Sequence, residues 1–185
     1  GKLVRWARGV GEAWADEKLA GREPGGVLKF VYALADALVF RQIRSAMGGR
    51  VRYFLSGGAP LSPEINRFFF SAGIQIFEGY GLTETSPVTN LNTPEHFRIG
   101  TVGGPVPGTE IRIGDSGEIL IRGPQVMKGY YRNPEATAEA ITPDGWLHTG
   151  DIVRMNSDGR IWITDRKKEL IKFKGFQVPP AELEG

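Results

Sequence analysis

Apolar residues recur at helical spacing near the start of the chain, where Leu3, Val10 and Trp14 fall between charged positions over residues 3–19. The run Gly21-Arg22-Glu23-Pro24-Gly25-Gly26 breaks that pattern. A longer amphipathic helix is predicted from about Val27 to Met47, with Gly48-Gly49 as its stop. Its stripe of Val27, Val31, Leu34 and Leu38 is expected to pack into a core; the other use of such a stripe is as the wall of an apolar tunnel. Val51–Leu55 reads as a short buried strand that ends in Ser56-Gly57-Gly58-Ala59-Pro60. Ser62 is placed to cap a helix that begins at Pro63 and turns Ile65, Phe68 and Phe69 inward. Gln75-Ile76-Phe77 is the next strand, and it runs into a loop over Glu78–Thr85. Strand, loop, helix, strand and loop make an α/β crossover. Ligands of open parallel sheets bind at the carboxyl ends of strands, where both glycine loops fall.

The pattern changes after about residue 100. Residues 109–113 and 118–122 alternate polar and apolar around Gly114-Asp115-Ser116-Gly117, which predicts a hairpin. Asn133-Pro134 starts a short helix that reaches about Ile141. Residues 152–155 and 160–164 flank Asn156-Ser157-Asp158-Gly159, a second hairpin. This half is expected to form a twisted or barrel-like β-rich subdomain. The last twenty residues turn basic, with Arg166, Lys167, Lys168, Lys172 and Lys174.

Composition narrows the function classes. A formal net charge of +2 over 185 residues argues against nucleic acid as a partner. The absence of cysteine excludes disulfides and thiolate zinc sites and is compatible with a reducing cytoplasm. No apolar stretch approaches the ~20 residues of a membrane span, and charges interrupt any signal-peptide pattern. Glycine is the outlier at 26 residues, clustered at Gly57-Gly58, Gly79/Gly81, Gly100/Gly103/Gly104 and Gly123. Tight turns account for such clusters, and so does close backbone approach to a ligand.

Three clusters can carry chemistry. In Glu78–Thr85, two glycines bring backbone close to a planar or anionic ligand, Tyr80 offers a ring face, Thr83 a hydroxyl and an N–H, and Glu84 a hard oxygen ligand of the kind Mg²⁺ prefers. A tyrosine–glycine turn with a surface glutamate fits the same residues. In Gly145–Asp151, Asp151 can accept both hydroxyls of a ribose, while His148 reads as a packed loop histidine with no second histidine or cysteine nearby. In Asp165–Lys172, four cations would favour a phosphate or adenylate anion, although a solvated face or an interdomain linker explains them equally.

Taken together in this order and spacing, these clusters resemble the adenylate-forming superfamily of acyl-CoA synthetases, luciferases and peptide-synthetase adenylation domains. Ser56–Leu61 resembles its adenine-site loop and Gly79–Glu84 its nucleotide motif. Gly117–Pro124 with Gly129-Tyr130-Tyr131 resembles the structural motif that follows. Gly150-Asp151 resembles its ribose motif and Asp165–Glu169 its hinge. The resemblance covers nearly the whole chain. It implies an α/β fold: residues 1–99 the α/β part of a large domain, 100–164 a β-rich subdomain, 165–170 a hinge, and 171–185 the start of a small α+β domain. By the same resemblance Gly57, Gly58 and Ala59 line the adenine and acyl-carboxylate site. Glu78, Gly79 and Tyr80, with Gly81, frame the adenine, on which Tyr80 stacks. Thr83 binds phosphate and Glu84 binds Mg²⁺. Asp151 holds the ribose with help from Arg166, Lys168 is the hinge residue, and Lys172 acts near the adenylate during thioester formation. Thr83, Glu84 and Lys172 are the implied catalytic set.

The implied activity joins a carboxylic acid to CoA at the expense of ATP, with AMP and pyrophosphate as products. Residues 27–61 and 97–107 resemble long-chain fatty acyl-CoA synthetases, whereas Lys172–Glu184 resembles coumarate–CoA ligases and luciferases. A long-chain fatty acid is therefore the expected acid; an aromatic or medium-chain acid, or a nucleotide-binding module without catalysis, is the alternative. A fatty-acid enzyme in the cytoplasm is compatible with peripheral attachment to a membrane, although no anchor is visible. The family's Ser/Thr/Gly-rich phosphate loop is expected before residue 1 and its adenylation lysine after Gly185. The 185 residues alone are expected to lack synthetase activity.

Overall fold

The computed structural model describes residues 1–166, 171–173 and 176–178, and the chain forms two compact units. The first holds Gly1–Glu78 with Phe97–Gly100, and the second holds Gly79–His96 with the residues from Thr101 onward.

In the first unit, α1 (Lys2–Leu19) buries Ala7, Gly11 and Ala15, spaced four apart on one face. This small-residue seam lets α1 pack closely on both α2 (Gly26–Ala35) and α4 (Pro63–Ser71). A Cβ on Gly11 would lie 2.8 Å from both Phe40 Cζ and Ser71 Oγ. Beyond α2 the helix passes through a π turn, Asp36–Phe40, into α3 (Arg41–Ala46). Gly48 and Gly49, both at positive φ, follow its end as expected. The inward face differs from the expected stripe. Val27 is 82% exposed, and Leu34 and Leu38 are also exposed, whereas Ala35, Val39 and Phe40 are buried. Periodicity identifies an apolar face but not its partner. Here α1 meets the face that carries Tyr32, whose ring stacks on Trp14 with centroids 4.5 Å apart and whose hydroxyl donates to the Ser71 carbonyl at 2.8 Å. Burial pushes the Tyr32 phenol up to about 12. Arg44 ties the same helix to the end of α4 by donating to the Ala72 carbonyl at 2.7 Å.

β1 (Tyr53–Ser56) pairs in parallel with the first part of β2 (Gln75–Gly81), from Tyr53 opposite Gln75 to Ser56 opposite Glu78. α4 connects them, so the crossover is as expected. The expected buried strand is instead exposed at Tyr53, Phe54 and Leu55, because β2 is its one sheet neighbour among the described residues. α4 begins at Pro63 as read from the sequence, but the Ser62 side chain makes no capping bond. Its buried positions are Asn66 and Ser71, while Ile65 faces solvent. Asn66 explains the rotation: its amide donates to the Ile76 carbonyl at 3.2 Å and to Glu78 Oε1 at 3.1 Å, and a buried amide must find such partners. Phe97 closes the unit, stacked on Phe70 and edge-on to Phe77.

In the second unit, the end of β2 pairs antiparallel with β3 (Val88–Leu91), and β3 with β4 (Gly104-Pro105). An antiparallel sheet runs in the order β5 (Glu110–Ile113), β6 (Glu118–Arg122), β7 (Leu147–Met155), β8 (Ile161–Arg166). Both expected hairpins are present. Ile119, Ile121, Val153 and Ile161 form its core. α5 (Pro134–Ala140) starts where Asn133 Oδ1 accepts the Ala136 N–H at 3.1 Å. β9 (Ile171–Phe173) pairs antiparallel with β10 (Phe176–Val178).

Gly11→Ala sets two effects against each other. Alanine favours a helix interior by about 1 kcal/mol, but a methyl group forced against Phe40 and Ser71 costs roughly 1–3 kcal/mol. Net destabilisation of about 1 kcal/mol is expected, read as a lower urea midpoint.

Candidate functional site

In the first unit, Gly57, Gly58 and Ala59 follow the last residue of β1, and Gly58 adopts a φ of +83° that favours glycine. Ser56, just before them, is paired with Glu78. The Glu78 carboxylate turns into the unit, where it accepts bonds from the Gly100 N–H at 3.0 Å, from Asn66, and from the Leu61 backbone. Burial nonetheless holds its carboxyl above the usual range, so desolvation outweighs these bonds. Glu78 thereby ties β2 to α4 and to the segment 97–100.

In the second unit, the expected loop at Glu78–Thr85 is strand as far as Gly81. Its close partner forces this. A Cβ on Gly81 would sit 1.6 Å from the Pro87 carbonyl oxygen, and the β2–β3 register shifts between Tyr80 and Gly81. Only after Gly81 does the backbone coil into the 3₁₀ turn Thr83–Thr85. The buried Thr85 hydroxyl holds that turn, accepting the Leu82 N–H at 2.9 Å and lying 2.8 Å from the Pro87 carbonyl. Thr83 is exposed, and Glu84 is half-buried.

Strand alternation turns Tyr80 toward the core beside Ile119, Ile121, Val153 and Ile161, and its hydroxyl donates to Asp151 Oδ2 at 2.6 Å. Burial first, and then this bond to a carboxylate, push the Tyr80 phenol well above its ordinary value. Asp151 is 3% exposed and also accepts Arg166 Nε at 3.0 Å across the β7–β8 pair. Its backbone is held from below. The Asp151 N–H donates to Thr149 Oγ1, Thr149 donates to the Ile119 carbonyl, and the Gly150 N–H donates to Glu118 Oε1 at 2.8 Å. Glu118 is buried, and His148 Nδ1 lies 3.4 Å from its other oxygen. His148 thus differs from the expected packed loop histidine: it lies on β7, and its side chain is exposed beside a buried carboxylate. Trp146, at the head of the same segment, has the Arg112 and Arg122 guanidinium groups over its ring, 4.7 and 4.6 Å from the centroid.

Glu84 reaches a partner that its sequence neighbours do not reveal. Tyr130 donates its hydroxyl to Glu84 Oε1 at 2.8 Å, and the Met127 N–H donates to the Glu84 carbonyl at 2.7 Å. Glu118 and Tyr130 were legible in the sequence only as motif members, since hydrogen bonds across 30 to 46 residues carry no local signal. Among the described residues no group of three or more His, Cys, Asp or Glu could hold a metal alone. A single half-exposed carboxylate suits Mg²⁺ that takes its remaining ligands from phosphates and water. Lys168 lies outside the described residues, and Lys172 lies on β9 opposite Gln177.

A family model for AMP-binding enzymes matches residues 18–131. The chain belongs to the AMP-binding enzyme family. It is 49% identical over 162 residues to the long-chain-fatty-acid–CoA ligase FadD15 of Mycobacterium bovis, covering 87% of this chain and 27% of that protein. It is 47% identical over 151 residues to the 4-coumarate–CoA ligase-like 4 of Oryza sativa, covering 74% of this chain and 27% of that protein. Among solved structures it resembles the O-succinylbenzoate coenzyme A synthetase of Bacillus subtilis in complex with ATP and magnesium ion, with a TM-score of 0.64, 28% identity, and coverage of 78% of this chain and 34% of that one. The chain thus spans about a quarter of the length of these curated relatives. The expected α/β fold of the adenylate-forming type is borne out. Among the described residues no helix is long and apolar enough to cross a membrane.

In this member of the AMP-binding enzyme family, Gly81→Ala is expected to destabilise the second unit by about 3 kcal/mol, near the upper end of ordinary single substitutions, because backbone must move on both sides. A lowered unfolding temperature, with Tyr80 fluorescence and near-ultraviolet dichroism altered before unfolding, would be the readout.

Proposed function

We propose that this chain is the nucleotide-holding part of an AMP-forming acid–thiol ligase that activates a long-chain fatty acid with ATP and transfers it to CoA. The observation that carries the reading is the bond between Tyr80 and Asp151, 71 residues apart, which joins the nucleotide motif to the ribose motif within one compact unit. The boundaries at residues 99–100 and 164–165, with the hinge at 165–170, belong to the same proposal.

In the first half-reaction a substrate carboxylate oxygen attacks the α-phosphorus of ATP, and the bond to pyrophosphate breaks. In the second, the CoA thiolate attacks the acyl carbon, and the bond to AMP breaks. No protein nucleophile is needed, so the chain's residues act by holding and orienting. Thr83, exposed at the start of its turn, offers a hydroxyl and an N–H to phosphate. Glu84 is the residue that would hold Mg²⁺, which neutralises charge on the phosphates when bound. Asp151 would take the ribose hydroxyls on its remaining lone pairs. The Arg166 side chain, 62% exposed and bonded to Asp151, would assist in holding them. Gly57, Gly58 and Ala59 would line the adenine and the acyl carboxylate; a Cβ at Gly58 would meet nothing within 4 Å. Lys172 would then favour thioester formation after Lys168 swings the small domain.

The likeness to a long-chain-fatty-acid–CoA ligase supports a fatty acid as the acid. So does the exposed apolar face of Val27, Phe30, Leu34 and Leu38, which suits an alkyl chain. The likeness to a 4-coumarate–CoA ligase-like protein supports the aromatic alternative.

ATP–pyrophosphate exchange by the full-length enzyme separates the two. Faster exchange with palmitate than with coumarate is expected; the reverse would sink the fatty-acid reading. Asp151→Asn should raise the KM for ATP roughly 10- to 100-fold, since it weakens charge-assisted bonds worth about 1.5–3 kcal/mol each. Lys172→Ala should slow thioester formation more than adenylation, and equal losses in the two steps would remove its assigned role.

A further inference from the structure

We infer that Tyr130 is a positioning residue for the metal-binding carboxylate of Glu84, which it orients through its hydroxyl. The inference rests on the reading of Glu84 as the Mg²⁺ ligand and adds a residue 46 positions away to that site.

A glutamate side chain on a short 3₁₀ turn has three rotatable bonds and would otherwise sample several directions. Tyr130 donates to Oε1 at 2.8 Å, and among the described residues it is the one side chain that reaches the carboxylate. The bond holds one oxygen and leaves Oε2 for a cation. Both ends of the bond are anchored. The Glu84 backbone is tied by the Met127 N–H and by the Thr85 staple beside it. The Tyr130 N–H donates to Thr137 Oγ1 at 2.9 Å, and Thr137 donates to the Asn133 carbonyl at 2.8 Å in the first turn of α5. Gly129 completes the anchor. At φ +146° a Cβ there would come within 2.7 Å of Thr137 Cγ2, so only glycine lets Tyr130 reach this position.

A ligating carboxylate whose free oxygen is already aimed loses less rotational freedom on metal binding. Partners of this kind typically contribute 10- to 100-fold in metal affinity. Tyr130 is half-exposed and belongs to no hydrophobic cluster, so loss of its hydroxyl should leave the fold intact.

The test uses the full-length enzyme and two substitutions, Tyr130→Phe and Glu84→Gln. Mn²⁺ binding in the presence of ATP is measured by electron paramagnetic resonance, alongside the Mg²⁺ dependence of ATP–pyrophosphate exchange and the unfolding temperature. Tyr130→Phe is expected to weaken Mn²⁺ binding roughly 10-fold and to shift the Mg²⁺ half-saturation equally, with the exchange rate largely recovered at high Mg²⁺ and the unfolding temperature unchanged. Thr137→Val, which loosens the Tyr130 backbone and leaves its hydroxyl, should shift both in the same direction by less. If Glu84→Gln weakens Mn²⁺ binding and Tyr130→Phe does not, or lowers exchange equally at every Mg²⁺ concentration, the inference fails and the Glu84 assignment stands. If Glu84→Gln leaves Mn²⁺ binding unchanged, the Glu84 assignment fails and the inference with it.

Discussion

The Gly81 backbone and the Pro87 carbonyl approach so closely that a single methyl group would fall inside the carbonyl oxygen. The strand Gln75–Gly81 can continue to this point and no further, and the chain must then turn. The register shift at Tyr80/Gly81 and the 3₁₀ turn at Thr83–Thr85 both follow from that contact. They in turn decide where two side chains go. Tyr80 points into the β-rich core and reaches Asp151, while Glu84 stands on the turn within reach of Tyr130. The segment is thus a strand end braced against its neighbour, with Tyr80 just before and Glu84 just after the constriction.

The polar groups around this constriction divide by burial. Glu78, Glu118 and Asp151 are all buried, and each accepts at least two hydrogen bonds, as a desolvated carboxylate must. Glu78 and Glu118 spend their bonds on backbone and neighbouring side chains and hold segments together. Asp151 is different because one partner, Arg166, is mostly exposed. Glu84 is different again, being half-buried with one tethered oxygen. The same residue type therefore serves as an internal tie or is left with an oxygen free according to its surroundings.

The motifs that place the chain among AMP-binding enzymes were legible because they rest on residue types with narrow physical uses: glycine where no Cβ fits, tyrosine and aspartate at a paired strand, a carboxylate on a turn. Helix ends at Gly48-Gly49 and Asn133-Pro134, and hairpins around residues 114–117 and 156–159, were legible for the same reason, since their backbone conformations are set locally.

The inward faces were not legible. Val27, Leu34 and Leu38 form a regular apolar stripe, but α1 offered a seam of Ala7, Gly11 and Ala15 that fits the neighbouring face, and the stripe stayed outside. Ile65 yielded its place to Asn66, whose amide had to satisfy Ile76 and Glu78. By itself the sequence determined the family, the α/β crossover of the first unit and the two hairpins of the second. Tertiary structure alone decided that Tyr80 bonds Asp151, that Glu118 accepts from Gly150, and that Tyr130 bonds Glu84. Those pairs meet only after strands distant in the chain align, and neither spacing nor periodicity encodes such a meeting.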